Sequence, residues 1–524
     1  MDFRPVLMHY HMYPSGVSTL ILNTIFMLVE KGYIKDEIQF VLGSSEKSEW
    51  FFDALKKGLK NDIKIELDII PEIFYWNDSM GKVEEAAEKV KEQFKAIGAG
   101  GKVLWAQNPT LGKNAAYTLA LKKLAREVPD QKIWMHVQDS AEQGRWPNLD
   151  HMYSSLSEPY YFDSPGTRWI VINKIDYRAY LESGMPSDHL FYVPDPLPIE
   201  SHVPQKSKQE IGEVLKGYAE KNNYTFDPDR PWLLFAGRTI RRKNLLETFL
   251  LALCARKELT FTITLPADSP DDKPYEDMVF NAIRKYKLGA AGFGIDHVGK
   301  DFALRDLAAA SDLIISCSVM EGFGLPYLEF PMFGRPVYAK KIYIMENFVE
   351  ILHDLPHHYY GSLKVPVARE TRETHLKRYL EKVNLLSSHF KLAEEHRSKV
   401  EKFFQDLFVG ENVDFSFLSA SAQLKFVENL DMDIIKKIQS LNEPVFDALE
   451  TGFKDQARDP QKVSKAIDSA FGADVYATNV EKMMASYEGD STAGFDAEHF
   501  MSKFLGFYFT PENLRLLLDY QPFH

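Results

Sequence analysis

The stretch Trp232–Asn244, WLLFAGRTIRRKN, decides how the chain folds. Its first half is a short apolar run ending at a glycine, the signature of a buried strand. Its second half is a basic turn, and the apolar helical pattern of about 243–257 follows. Strand, turn and helix together make one half of a parallel βαβ unit.

The same alternation extends in both directions. Upstream, PVLMHYH (5–11), IQFVLG (38–43), IKIEL (63–67), KVLWAQN (102–108), KIWMHV (132–137), RWIVIN (168–173) and LFYVPD (190–195) read as strands. Helical patterns lie between most of them, as at 81–97 and 113–127. Downstream, TFTITL (260–265), GIDHVG (294–299), DLIISC (312–317) and RPVYA (335–339) read as strands, with helices near 275–287 and 303–310. Strands buried on both faces are near-continuous apolar runs, which implies a parallel sheet covered by helices. The Pro- and Ser-rich stretch 194–208, PDPLPIESHVPQKSK, interrupts the pattern and marks a boundary. The expected organisation is therefore 1–200 as an N-terminal Rossmann-like domain, 201–430 as a second one with closing helices, and 431–524 as a helical C-terminal extension.

Composition narrows the function. The chain has 524 residues, a net charge of -13, 45% hydrophobic and 26% charged residues. No basic stripe suits a nucleic acid. Two cysteines, Cys254 and Cys317, cannot build a disulfide framework or a thiolate metal site. No apolar run approaches the roughly 18–20 residues of a spanning helix, and the start lacks the apolar core of a signal peptide. A cytoplasmic protein is expected.

Ligands of open parallel sheets bind beyond the carboxyl ends of the strands, so the loops there carry the chemistry. In FAGRTIRRKN, Arg238 and Lys243 can grip an anion beside a helix N-terminus. The alternative is a solvated basic turn, since Arg241 and Arg242 lie between them. In SCSVMEGFGLPYLEF (316–330), Gly322 and Gly324 permit close backbone approach, while Glu321 and Glu329 flank the loop. Their other reading is a pair of surface acids. In WMHVQDSAEQGRW, His136 ends a strand, with Asp139 and Arg145 beyond it. Asn108 and Asn173 end two further strands. HYHMYPSGVSTLI places Ser15-Gly16 between the first strand and its helix.

GRTIRRKN, followed some eighty residues later by EGFGLPYLE and then FGRPVYA, resembles the retaining GT-B glycosyltransferases, specifically family 4. The spacing of Gly-Arg to Lys, then of Glu, seven residues, Glu, is that family's. The resemblance is strong over about 230–345, looser before it, and absent after about Asp431. It implies an α/β protein of GT-B architecture, with two Rossmann-like domains facing a cleft. It implies that Arg238 and Lys243 bind the diphosphate of a nucleotide sugar, and that Glu321 holds hydroxyls of the donor sugar. Gly322, Phe323, Gly324 and Leu325 then line the donor through their backbone, Glu329 binds its ribose, and Gly16 lies near its phosphates. The family often has two adjacent glycines where this chain has Ser15-Gly16. His136 either stands at the reacting sugar or is a hydrogen-bonded strand-end histidine. Asp139, Asn108 and Asn173 are placed on the acceptor side.

The implied reaction moves a sugar from a UDP- or GDP-sugar to an acceptor hydroxyl with retention, without cofactor or metal. The catalytic set is Arg238, Lys243, Glu321 and His136. The expected partners are the donor and a glycan or small polar acceptor, with the C-terminal extension offering a surface for a homo-oligomer. Competing readings are a sugar phosphorylase, a nucleotide-sugar epimerase, and a non-catalytic partner subunit. The last tends to lose the Arg, Lys or Glu of the donor site, all of which are present here.

Overall fold

The computed structural model describes residues 3–59, 63–197, 204–455, 459–488 and 494–519. The expected boundary at 200/201 lies outside them. The chain divides into two compact units, Met1–Pro198 with Asp468–Phe509, and Ile199–Ile467 with Thr510–His524.

The first unit carries seven parallel strands: β1 Pro5–His11, β2 Glu37–Ser44, β3 Lys64–Ile69, β4 Val103–Gln107, β5 Ile133–Val137, β6 Thr167–Val171 and β7 Leu190–Tyr192. Their order is β3-β2-β1-β4-β5-β6-β7. Period-two alternation sends Val6 and Met8 to one core and Leu7 to the other. On the Leu7 side, Ile21 and Ile25 of helix Gly16–Glu30 pack with Trp105, Trp134 and Ile170. On the other side, Val90, Phe94, Tyr117 and Leu121 cover Leu104, Met135 and Trp169. Burying such a large side chain contributes about 1.5–3 kcal/mol each, so both helical layers are bound firmly to the sheet.

The second unit has six parallel strands: β8 Trp232–Arg238, β9 Thr260–Leu265, β10 Gly289–Ala291, β11 Leu313–Ser316, β12 Val337–Lys340 and β13 His357–Tyr360. Their order is β10-β9-β8-β11-β12-β13. The expected strand at 294–299 is instead the helix Gly294–His297, and the strand lies just before it. Ile295 is exposed, so no apolar face was there to bury. Gly289 is the residue that fits: a Cβ on it would meet Phe261 O at 1.7 Å. β13, a half-buried edge strand rich in histidine and tyrosine, was not read from the sequence. Neither was the short antiparallel pair β14 Lys364–Pro366 and β15 Asn412–Asp414, which brackets the helices Arg369–His389 and Glu394–Val409.

The described residues after 431 are helical but do not form a unit of their own. Residues 432–467 and 510–519 belong to the second unit, whereas 468–509 belong to the first. There Tyr476 and Val480 enter the Leu7-side core, while Phe500 and Phe504 enter the opposite one. The segment thus covers both faces of the first sheet. Among the described residues, no helix is long and apolar enough to cross a membrane.

Candidate active site

Each sheet has one point where the chain order reverses: between β1 and β4 in the first unit, and between β8 and β11 in the second. A crevice opens at such a point at the carboxyl edge.

In the second unit both motif loops leave the strands that flank this point. Arg238 is the last residue of β8, and the tight turn Arg241–Lys243 follows. Asn244 then takes a left-handed conformation (φ 51°, ψ 47°), and the helix begins at Leu245. Lys243 therefore stands in the turn rather than in the helix. Asn244 is held there by Nδ2 donating to Glu247 Oε2 at 2.6 Å and by Oδ1 accepting from Gln423 Nε2 at 3.2 Å.

From the other side of the reversal point, the loop after β11 brings Glu321 to this turn. Lys243 Nζ donates to Glu321 Oε1 at 2.5 Å, and an Arg242 terminal nitrogen donates to Oε2 at 2.9 Å. The backbones are tied too, Val319 N donating to Arg242 O at 2.9 Å. Tyr343 donates its hydroxyl proton to the Glu321 carbonyl. Glu321 is 6% exposed. Burial pushes its carboxyl up, but Lys243 and Arg242 outweigh that and hold it at about 2. Burial lowers the Lys243 ammonium from its ordinary value, against the pull of Glu321. Arg238 pairs with Asp268 in the neighbouring loop.

The rest of the motif is shaped by its glycines. Gly324 has φ +93°, and a Cβ there would meet Ile344 Cδ1 at 2.3 Å and Tyr327 Cδ2 at 2.9 Å. Phe323 is buried, with its ring 5.9 Å from that of Phe348. Gly322 and Leu325 are half-buried. Glu329 lies in the helix Pro326–Met332, one turn in, and is half-buried.

The structure thus brings Lys243 and Glu321 together and adds two residues that sequence reasoning had not assigned. Arg242, grouped with a solvated turn, is an ion partner of Glu321. Tyr343 lies outside both motifs, and no signal in the sequence marked it.

In the first unit, the predicted residues stand at the carboxyl edge, with Asn108 joined to both His136 and Asp139. Gly16 opens its helix, capped by Ser15 Oγ accepting from Ser18 N, and a Cβ on Gly16 would meet nothing within 4 Å. Asn108, left-handed at φ 51°, accepts from Gln138 N at 2.7 Å and Asp139 N at 3.0 Å. Asp139 is paired with Arg145 at 2.7 Å. Asn173 caps the helix Lys174–Glu182 and bonds Asp176. His136 is buried, its Nδ1 accepting from Trp105 Nε1 at 3.1 Å, and Nε2 has no partner among the described residues. Burial depresses its pKa to about 3, so the ring is neutral. Two carboxyls nearby were not anticipated. Glu142, bonded by Tyr160 and Tyr161, is pushed by burial to about 7. Asp195, just beyond β7, is pushed by burial and then by Asp139 to about 8.

No family model matches the chain. In sequence it is 27% identical over 452 residues to mannosylglucosyl-3-phosphoglycerate synthase of Petrotoga mobilis, with 84% of each chain covered. Similar solved structures include HepE of Anabaena in complex with UDP, at 12% identity and a TM-score of 0.49, covering 92% of this chain and 100% of that one. Another is sucrose-phosphate synthase of Thermosynechococcus elongatus, at 14% identity and a TM-score of 0.43, covering 92% and 98%.

Proposed function

We propose that this chain, a glycosyltransferase of the GT-B type, transfers the sugar of a nucleoside diphosphate to an acceptor hydroxyl with retention and without a metal. The observation that carries the reading is the cluster at the reversal point of the second sheet, in which buried Glu321 is paired by the half-buried Lys243 and Arg242. A carboxylate has about four acceptor positions, and the two cations engage one oxygen each. Glu321 keeps positions for sugar hydroxyls, and Lys243 keeps ammonium protons for phosphate oxygens.

The proposed step breaks the bond between the anomeric carbon and the diphosphate oxygen. A bond to the acceptor oxygen forms on the same face, and the acceptor proton passes to the departing diphosphate. No enzymic nucleophile is required. The chain orients the donor and offsets charge growing on the leaving group, using Lys243 with Arg238 and Arg242. Glu329 holds the ribose. By likeness to the Petrotoga synthase, whose name describes a phosphoglycerate-bearing sugar, the acceptor is a small phosphorylated polar molecule. Both cysteines are free and buried, in keeping with a reducing cytoplasm.

The test is a thermal-shift panel of UDP, GDP, ADP and their sugar conjugates, with and without EDTA. A ligand at a hundred times its Kd adds about 2.7 kcal/mol of stability. One base should stabilise the protein, independently of EDTA, and the effect should vanish in Arg238→Ala and Glu329→Ala. No shift with any nucleotide in folded protein would reject the reading. Once an acceptor turns over, NMR of the product anomer decides retention.

A further inference from the structure

The chain leaves the second unit at Asp468 and returns to it only at Thr510. Among the described residues, what returns is two tight turns, Pro511–Leu514 and Leu516–Leu518, followed by Asp519. Leu514, Arg515, Leu516 and Leu517 are nevertheless all buried. The turn Leu516–Leu518 packs against Arg241–Lys243, the turn that carries the donor-site cations, and against Phe415–Phe417.

The segment is fastened at several points. Leu516 N donates to Tyr379 Oη at 3.1 Å, and that hydroxyl donates to Phe417 O at 2.7 Å. The Arg515 guanidinium lies 4.4 Å from the centre of the Phe417 ring. Lys382 Nζ and Asp519 Oδ1 form an ion pair at 2.5 Å, both side chains nearly buried. The charge of Asp519 also reaches Arg241, the first residue of the cation turn. A lone buried pair of this kind contributes little net stability against an apolar alternative. It does tie Asp519 to the helix Arg369–His389.

Resting on the donor-site reading above, we propose that the returning segment Pro511–Asp519 is a brace that positions the cation turn. One face of the turn presents Arg242 and Lys243 to Glu321, and the brace supports the turn by packing against it. The brace follows directly on the helix Ala497–Tyr508, whose Phe500 and Phe504 belong to the core of the first unit. Neither motif loop carries this information. Asp519 and Leu517 act as positioning residues, touching no substrate.

The experiment uses the full chain with Leu517→Ala, the isosteric Asp519→Asn, and Asp519→Glu as a conservative rescue. The amides of Arg241, Lys243 and Asn244 are hydrogen-bonded to Asp272 Oδ1, Ile240 O and Arg241 O, so their hydrogen exchange reports the turn. In Leu517→Ala and Asp519→Asn their exchange should speed up by about tenfold while the strands of both sheets keep their protection. Binding of UDP, GDP or ADP, whichever the wild type takes, should weaken by about tenfold. Asp519→Glu should restore both readouts. Unchanged exchange at these amides in either folded variant overturns the proposal. So does faster exchange with unaltered nucleotide affinity. A wild type that binds none of the three nucleotides rejects the donor-site reading instead, and exchange at the turn still decides whether the segment braces it.

Discussion

Glu321 Oε1 lies 2.5 Å from Lys243 Nζ across the reversal point of the second sheet, joining two loops separated by seventy-eight positions in the chain. Neither residue is held there by its own loop alone. Arg242 takes the other carboxylate oxygen, and the backbone bond between Val319 and Arg242 zips the loops together. Lys243→Ala removes a cation while Arg242 still pairs with Glu321, so the fold survives. The expected result is a fall in kcat of about a hundredfold to a thousandfold, as for loss of one donor to a developing anion. Steady-state kinetics of the folded variant check it, and a change confined to KM would place Lys243 in ground-state binding only.

Glu321 also sets an acid limit on stability. Its folded pKa of about 2 lies below the ordinary value of 4.5. The stabilisation it brings is therefore complete above pH 4.5 and disappears as pH falls toward 2. Integrated over that window it amounts to about 3 kcal/mol. Urea unfolding at pH 6, 4 and 3 should show wild type losing stability faster than Glu321→Gln. Parallel curves would mean the carboxylate is not held as an ion.

Asp195 predicts the opposite slope in the first unit. Burial and Asp139 raise its pKa to about 8, so the folded state favours the neutral acid. Stability from this group is full below its unfolded pKa near 4 and is lost as pH rises toward 8, at about 1.4 kcal/mol per pH unit. Asp195→Asn removes the loss. The variant should become steadily more stable relative to wild type between pH 5 and 8, read by denaturant unfolding. A constant difference would show that Asp195 is charged throughout.

Much of this was legible in the sequence for a physical reason. Central parallel strands are unbroken apolar runs, so β1, β4, β5, β8 and β11 stood out, and the loops after them followed. Where burial is partial the signal fails. Gly289–Ala291 is short and made of small residues, and β13 is a half-buried edge. Arg242 was missed because a basic residue in a turn reads the same whether it meets water or a carboxylate from a distant loop. The division of the last residues between two units was missed because an amphipathic helix shows which face it buries, not against which sheet.

The glycines give a prediction that separates fold from ligand. Gly324 has φ +93°, and its missing Cβ would collide with Tyr327 and Ile344. The end of Ile344 can shift, but the buried Tyr327 ring and the backbone angle cannot do so cheaply. Gly324→Ala should cost about 1–3 kcal/mol of stability and weaken nucleotide binding with it. Gly16 has no positive φ, and a Cβ there would meet nothing within 4 Å. As the first residue of a helix it should accept alanine with a gain of about 0.4–1 kcal/mol, through the less flexible unfolded chain. If a donor phosphate approaches the start of that helix, Gly16→Ala still loses activity, because the added methyl occupies the ligand's space. Thermal unfolding and kcat/KM, measured on the same preparations, should therefore move together for Gly324→Ala and apart for Gly16→Ala. A Gly16→Ala protein as active as wild type would overturn the expectation that Gly16 lies near the donor phosphates.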